Sequence, residues 1–323
     1  MNGIIPKKPK SAFPLIVRIL RDPAVQFILY PLEKITRSSV MVADGTEVVK
    51  ADKLTAALLK DFFENKILAI HIPAYCSPEI AARTSHDILQ KQLHNWNIRD
   101  VKTGFKESDV DVFGNPFTTA SRDDASWNNY FSGALDLAGE LRALSYSDLY
   151  PLDKFRLEMD EIWPQGLMTG TYQGAKMVPG LVRVMHDKAT KISSDTSLGC
   201  HVDDTPMLSP NGGKFSVNIY LKPAAEGGNL FVWNTKISGF RETISKWHMV
   251  KNFFLESNYL NEEVQKKFQS MLPKPREIKI KQGDLVLINT GRPHAVSGYS
   301  GGPRVSIQAF ITYKKGKPLQ IWA

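Results

Sequence analysis

Two stretches of the chain alternate polar and apolar residues with a period of two. In Phe215–Leu221 (FSVNIYL), Phe215, Val217, Ile219 and Leu221 share one side while Ser216, Asn218 and Tyr220 share the other. In Arg304–Tyr313 (RVSIQAFITY), Val305, Ile307, Ala309 and Ile311 oppose Arg304, Ser306, Gln308 and Thr312. Successive side chains of a strand point to opposite faces of its sheet. A chain with this pattern therefore builds a sheet with one face on a core and a second, polar face headed by an arginine. Solvent exposure is the simplest account of that polar face, and an arginine within a β-rich core asks for a stronger one.

These stretches belong to a β-rich half that begins near residue 165. Leu181–His186, Asn229–Trp233, Glu277–Ile280 and Asp284–Asn289 have the same short, β-branched composition between turn signals. One helical insertion, 245–272, interrupts them before Pro273 and Pro275. The first 164 residues read as mostly helix and loop. Leu54, Leu58 and Phe62 recur at helical spacing, Ile67–Ile72 is the one strand candidate, and Ser77 with Pro78 opens a further helix. Residues 101–132, rich in Gly, Asn, Asp and Ser, read as a long loop, a feature often functional inside a compact domain. The expected organisation is a single domain, 1–323, with a helical part (1–164) supporting a β core (165–315).

At 323 residues, 42% of them hydrophobic, the chain can bury a full core without disulfides or structural metal. Its two cysteines, Cys76 and Cys200, stand in no C-x-x-C spacing, which fits a reducing compartment and predicts a cytoplasmic protein. No run approaches the roughly 18 apolar residues of a membrane span. The net charge of +8 is scattered rather than clustered, with Lys7, Lys8 and Lys10 near one end, Lys314, Lys315 and Lys317 near the other, and Lys266 and Lys267 beside Glu262 and Glu263. That distribution reads as solvated surface. A nucleic-acid-binding protein is kept only as the non-enzymatic alternative.

His201-Val202-Asp203 places an imidazole and a carboxylate two apart, on one side of an extended segment. Two such ligands and a distant histidine can hold one face of an octahedral Fe(II), leaving three positions open. The spacing alone decides nothing, because about 0.7 such pairs are expected by chance in this composition. Downstream, however, Gly283–Asn289 (GDLVLIN) reads as a turn into a buried strand and leads to His294 in GRPHAVSG, then to Arg304 and Ser306.

This arrangement, HVD, GDLVLINTGRPH and RVS, resembles the Fe(II)/2-oxoglutarate-dependent oxygenases. The resemblance covers roughly 165–313 and extends weakly upstream through ILAIHIPAYCSPEIAAR. It implies an α+β chain with a double-stranded β-helix, or jelly-roll, core. It also implies that His201, Asp203 and His294 hold Fe(II), that Arg304 and Ser306 bind the distal carboxylate of 2-oxoglutarate, and that O2 is the oxidant. Asn218 or Tyr220 is expected to add a hydrogen bond to that co-substrate. A fixed guanidinium suits the far end of a dicarboxylate because it binds carboxylate bidentately.

The motif order looks like the small-molecule branch, which includes indole-alkaloid halogenases and amino-acid halogenases and hydroxylases. Halogenases of that branch carry Gly or Ala in place of the carboxylate, whereas this chain keeps Asp203, so the reading is non-halogenating. The expected activity is oxidation of an unactivated C–H bond of an amino acid or alkaloid-like secondary metabolite by hydroxylation, desaturation or oxidative cyclisation, as in kainoid-type ring closure. A peptidyl, prolyl-type hydroxylase and a cupin-like metal enzyme without 2-oxoglutarate are the enzymatic alternatives. Arg183, Trp233 and Arg292 are the candidate substrate residues. Arg183 alternates with Val182 and Val184 and is a candidate for a substrate carboxylate; Arg292, two before His294, is placed near the mouth. Trp163 is assigned to packing, Asp204 to a turn, and His71, His86, His94, His186 and His248, which lack ligand spacing, to ordinary roles.

Overall fold

The alternating strands sit side by side at the centre of the molecule. The structure is a computed structural model and describes residues 5–8, 22–25, 27, 42–100, 104–108, 110–144, 148–186, 197–203, 215–235 and 262–323. Its large sheet runs in the order Val48–Lys50, Ala69–Ile72, Leu285–Asn289, Phe215–Lys222, Arg304–Thr312, Leu181–Met185, Val110–Phe113, His94–Asn95, and Leu319–Trp322 adds to Arg304–Thr312 off this path. Phe215–Lys222 pairs antiparallel with both Leu285–Asn289 and Arg304–Thr312, with Asn218 opposite Gln308 and Tyr220 opposite Ser306. Arg183 is registered against Ser306 on the other side of the Arg304 strand. A smaller sheet orders Ser197–His201, His294–Ser297, Leu230–Val232 and Arg276–Ile278.

The apolar faces predicted from the alternation all enter one core. Val182, Val184, Val217, Ile219, Leu285, Leu287, Val305, Ile307 and Ile311 join Leu59, Phe62, Phe63, Ile88, Phe155 and Met159 in it. The last six come from the helices Ala56–Phe63, Pro78–Leu89 and Pro151–Ile162, so the helices cover the outer face of the large sheet. Thr55 and Ser77 cap the first two by accepting from the amides of Leu58 and Ile80. The opposite, polar face is not solvent-exposed: Ser216, Asn218, Arg304, Ser306 and Gln308 are all buried. It looks across at the small sheet, and Tyr220, Val286 and Ile288 of one sheet pack with Leu230, Val232 and Ile278 of the other.

Several expectations for the first half are corrected. Residues 101–132 are not a long loop: they contain the strands Gly104–Lys106 and Val110–Phe113, the short helix Phe117–Ala120 and the start of the helix Asp124–Ala143. Asp123 caps that helix through the Ser126 amide, and Trp127, Tyr130, Phe131 and Ala134 bury one side of it. The part up to residue 164 also gives four strands to the large sheet rather than support alone. Beyond residue 315, Leu319–Trp322 extends the sheet. Within the insertion 245–272, the helix Glu262–Gln269 is described, while 245–261, with His248, and Asp204 lie outside the described residues. No helix among the described residues is long and apolar enough to cross a membrane.

Candidate functional site

Alternation also divides the small sheet. Cys200, Val202, Phe231, Trp233 and Ala295 pack outward with Phe268, Met271 and Leu272 from the helix Glu262–Gln269 and its end. The intervening residues, His201, Asp203, Val232 and His294, are thereby turned toward the polar face of the large sheet. His201 and His294 are cross-strand partners, with ring centroids 4.3 Å apart.

Asp203 completes the cluster. Its Oδ1 lies 3.3 Å from His201 Nε2 and its Oδ2 3.5 Å from His294 Nε2. One donor atom from each of the three residues lies within 4.8 Å of the others, close enough for the three to converge on one ion. The other nitrogen of each ring is already committed. His294 Nδ1 bonds the Arg292 carbonyl at 3.0 Å and His201 Nδ1 bonds the Gly199 carbonyl at 2.5 Å. A carbonyl can only accept, so each Nδ1 carries a hydrogen, and in the neutral ring Nε2 is the nitrogen left to bind a metal. A bulge between Leu198 and His201, with Gly199 at φ 64°, brings that carbonyl back under the ring.

Burial works against the Asp203 charge, but His201 and His294 outweigh it and hold its carboxyl well below the usual range. His201 is opposed by burial in the same way and is raised by Asp203. Its side chain is 29% exposed and that of Asp203 26%, so the cluster is open on one side. Two imidazoles and one carboxylate suit Fe(II) and leave an open face.

Arg304 supplies the second half of the site. It is 3% exposed, its guanidinium lies 4.8 Å from the Tyr220 ring centre, and its Nη1 is 3.0 Å from Met185 Sδ. Its Nε has no hydrogen-bond partner and it makes no ion pair among the described residues. A buried cation without a counter-ion is costly, and the arrangement fits an anion brought in from outside. Ser306 stands on the same face opposite Tyr220 and Arg183. Asn218 donates to Ser216 Oγ at 3.1 Å within this face.

The substrate candidates divide. Arg183 is half-buried on the polar face, donates to Gln308 Oε1 at 3.1 Å and lies 5.3 Å from the Trp96 ring centre. Trp233 is corrected: it packs outward against Phe268, away from the interior. Arg292 is corrected too, since it is 1% exposed and paired with Asp44 rather than placed at a mouth. Trp163 packs edge-on against Phe63, as expected. Trp96, Met185, Gln308 and Asp44 were not predicted for the site. Gln308 shares the parity of Arg304, which is the signal that marks it; the others meet the site only through pairing between distant segments.

Comparison with protein-family models and with curated proteins finds no match to this sequence. Among solved structures, the chain is similar to an N-substituted L-amino acid dioxygenase from Burkholderia ambifaria, with 12% identity, TM-score 0.52, and 88% of this chain and 97% of that one covered. It is also matched, at TM-score 0.41 and 12% identity over 79% and 86% of the two chains, to HygX from Streptomyces hygroscopicus with nickel and 2-oxoglutarate bound. The first likeness gives the fold alone: a jelly roll, elaborated by helices on its outer face.

Proposed function

We propose that this chain is an Fe(II)/2-oxoglutarate-dependent dioxygenase that oxidises a C–H bond of a small, carboxylate-bearing molecule. The reading rests on one conjunction: two histidines whose Nε2 atoms converge on the Asp203 carboxylate, facing a sheet whose buried Arg304 has no counter-ion among the described residues. Bound iron would supply oxygen activation, coupled to conversion of 2-oxoglutarate to succinate and carbon dioxide. His201, Asp203 and His294 would hold it, and Arg304 and Ser306 would bind the far carboxylate of the co-substrate. Tyr220 shields Arg304 from water through its ring.

In hydroxylation, one oxygen atom of O2 enters the substrate and the other enters succinate. Desaturation and ring closure, including the kainoid type, draw on the same oxidant and differ in the fate of the substrate radical. The Asp203 carboxylate occupies the position a halide would need, which favours the non-halogenating outcome. Arg183, beside Trp96 and on the face of Ser306, is suited to a substrate carboxylate. An amino acid or an N-substituted amino acid meets that requirement.

The test is anaerobic addition of Fe(II) and 2-oxoglutarate to the apoprotein, followed by the weak visible band of the bidentate chelate. Wild type should develop the band, and Arg304→Ala should need far more 2-oxoglutarate to reach it. Metal binding with no band would replace this reading with a metal enzyme that does not use 2-oxoglutarate.

A further inference from the structure

We propose that Asp44 is a positioning residue for the metal centre, acting through Arg292. This rests on reading His201, Asp203 and His294 as the metal site. The turn 289–294 carries the second attachments of two of those residues. Its Thr290 carbonyl accepts the Asp203 main-chain N–H at 2.8 Å, and its Arg292 carbonyl accepts from His294 Nδ1 at 3.0 Å. The turn is braced internally by Asn289, whose Oδ1 takes the Gly291 amide at 2.9 Å and whose carbonyl takes the Arg292 amide at 3.0 Å. The aim of the Asp203 main chain and of the His294 ring is therefore set by oxygen atoms of one turn.

Arg292 ties that turn to a distant segment. Its Nη1 donates to Asp44 Oδ2 at 2.6 Å, and its Nε and Nη2 have no hydrogen-bond partner among the described residues. At 1% exposure it has little water to replace a lost partner. Asp44 is fastened in turn: its amide donates to the Asn234 carbonyl at 2.7 Å, and its Oδ1 accepts from the Thr46 hydroxyl at 2.7 Å and the Thr46 amide at 3.1 Å. Asn234 Nδ2 reaches the Thr46 carbonyl at 3.2 Å, and Thr235 Oγ1 the Val42 carbonyl at 3.2 Å. The Asp44 carboxylate thus divides its oxygens between holding its own segment and holding Arg292. Residues 42–47 form a strap across the end of the small sheet, latched to the turn that orients the ligands.

Co(II) binding to the apoprotein, followed by its visible d–d absorption, tests the latch. Asp44→Asn should weaken Co(II) binding by about 10- to 100-fold, the range for loss of an outer partner of a metal ligand, while Asp44→Glu restores much of it. The double variant Asp44→Asn/Arg292→Met removes both charges. Continued weak binding there supports lost placement, whereas wild-type binding would assign the effect to the field of an uncompensated arginine and overturn the proposal. Unchanged binding in Asp44→Asn overturns it as well. A measurement on wild type needs no variant: linkage is reciprocal, so Co(II) must slow hydrogen exchange at residues 42–47, and unaltered exchange there would also overturn it. Failure of wild type to bind Co(II) at all would instead remove the metal reading beneath the proposal, a distinguishable result.

Discussion

The Asp203 main-chain N–H donates to the Thr290 carbonyl at 2.8 Å, joining the end of the His201 strand to the turn that precedes His294. This bond makes the three donors one unit assembled from two distant segments. Each donor also has an attachment at an atom other than the one it turns toward the cluster.

Removing a donor should therefore cost more than removing an attachment. Asp203→Ala and His294→Ala are each expected to weaken Fe(II) binding beyond the roughly 10- to 100-fold typical of an outer partner, with little change in the far-UV circular dichroism. Anaerobic Fe(II) titration measures this, and wild-type affinity in either variant would remove the cluster as the metal site.

Arg304 should discriminate between co-substrates by their far end. A charge-assisted hydrogen bond contributes about 1.5–3 kcal/mol, so Arg304→Ala is expected to raise the 2-oxoglutarate concentration required by about 10- to 100-fold. The same variant should bind 2-oxobutyrate, which lacks the distal carboxylate, about as wild type does. Arg304→Lys should recover only part of the loss, because an ammonium cannot bind both carboxylate oxygens in a fork. Equal weakening for both 2-oxo acids would place Arg304 elsewhere in the chemistry.

Much of this site is legible in the sequence because strand parity is local. Ser216, Asn218, Tyr220, Arg304, Ser306 and Gln308 can be assigned to one face by counting in twos, and the structure puts them on one buried face. What parity cannot say is what lies opposite, so solvent and a barrel interior remain equal until the small sheet is placed. Trp233 was within reach of the same count, since it alternates with Val232, which faces the interior with His294. The helix Asp124–Ala143 was obscured by its Ser, Asp and Asn content, although Trp127, Tyr130, Phe131 and Ala134 keep helical spacing. The strands His94–Asn95 and Val110–Phe113 are too short to show a period. The Asp44–Arg292 pair joins residues 248 apart in sequence and leaves no local trace.

Arg183 should read the substrate's charge. For any carboxylate substrate found by succinate release, Arg183→Gln is expected to raise KM by about 10-fold or more with a smaller effect on kcat, as for a group that binds ground and transition states alike. The methyl ester of that substrate should be poor for wild type and should lose little further in the variant. An equal penalty on acid and ester would assign Arg183 to packing against Trp96 instead.

The last prediction concerns Asp284, beside Gly283 at the turn into the strand Leu285–Asn289. Its Oδ2 meets His71 Nε2 at 2.8 Å and accepts the Lys281 amide at 2.9 Å, while its Oδ1 accepts the Ala74 amide at 3.1 Å. Burial opposes the charge, yet these bonds outweigh it and hold the carboxyl below its ordinary value. A carboxyl depressed by folding contributes stability above its unfolded pKa, about 3.9, and the contribution is lost as pH falls through the folded value. Asp284→Asn should cost about 2–4 kcal/mol at pH 7, with a penalty that shrinks once the pH drops below about 4. Urea unfolding of the apoprotein at the two pH values checks both the size and the sign. A penalty that stays constant would mean that the shape of the side chain, rather than its charge, joins the strand Ala69–Ile72 to the turn.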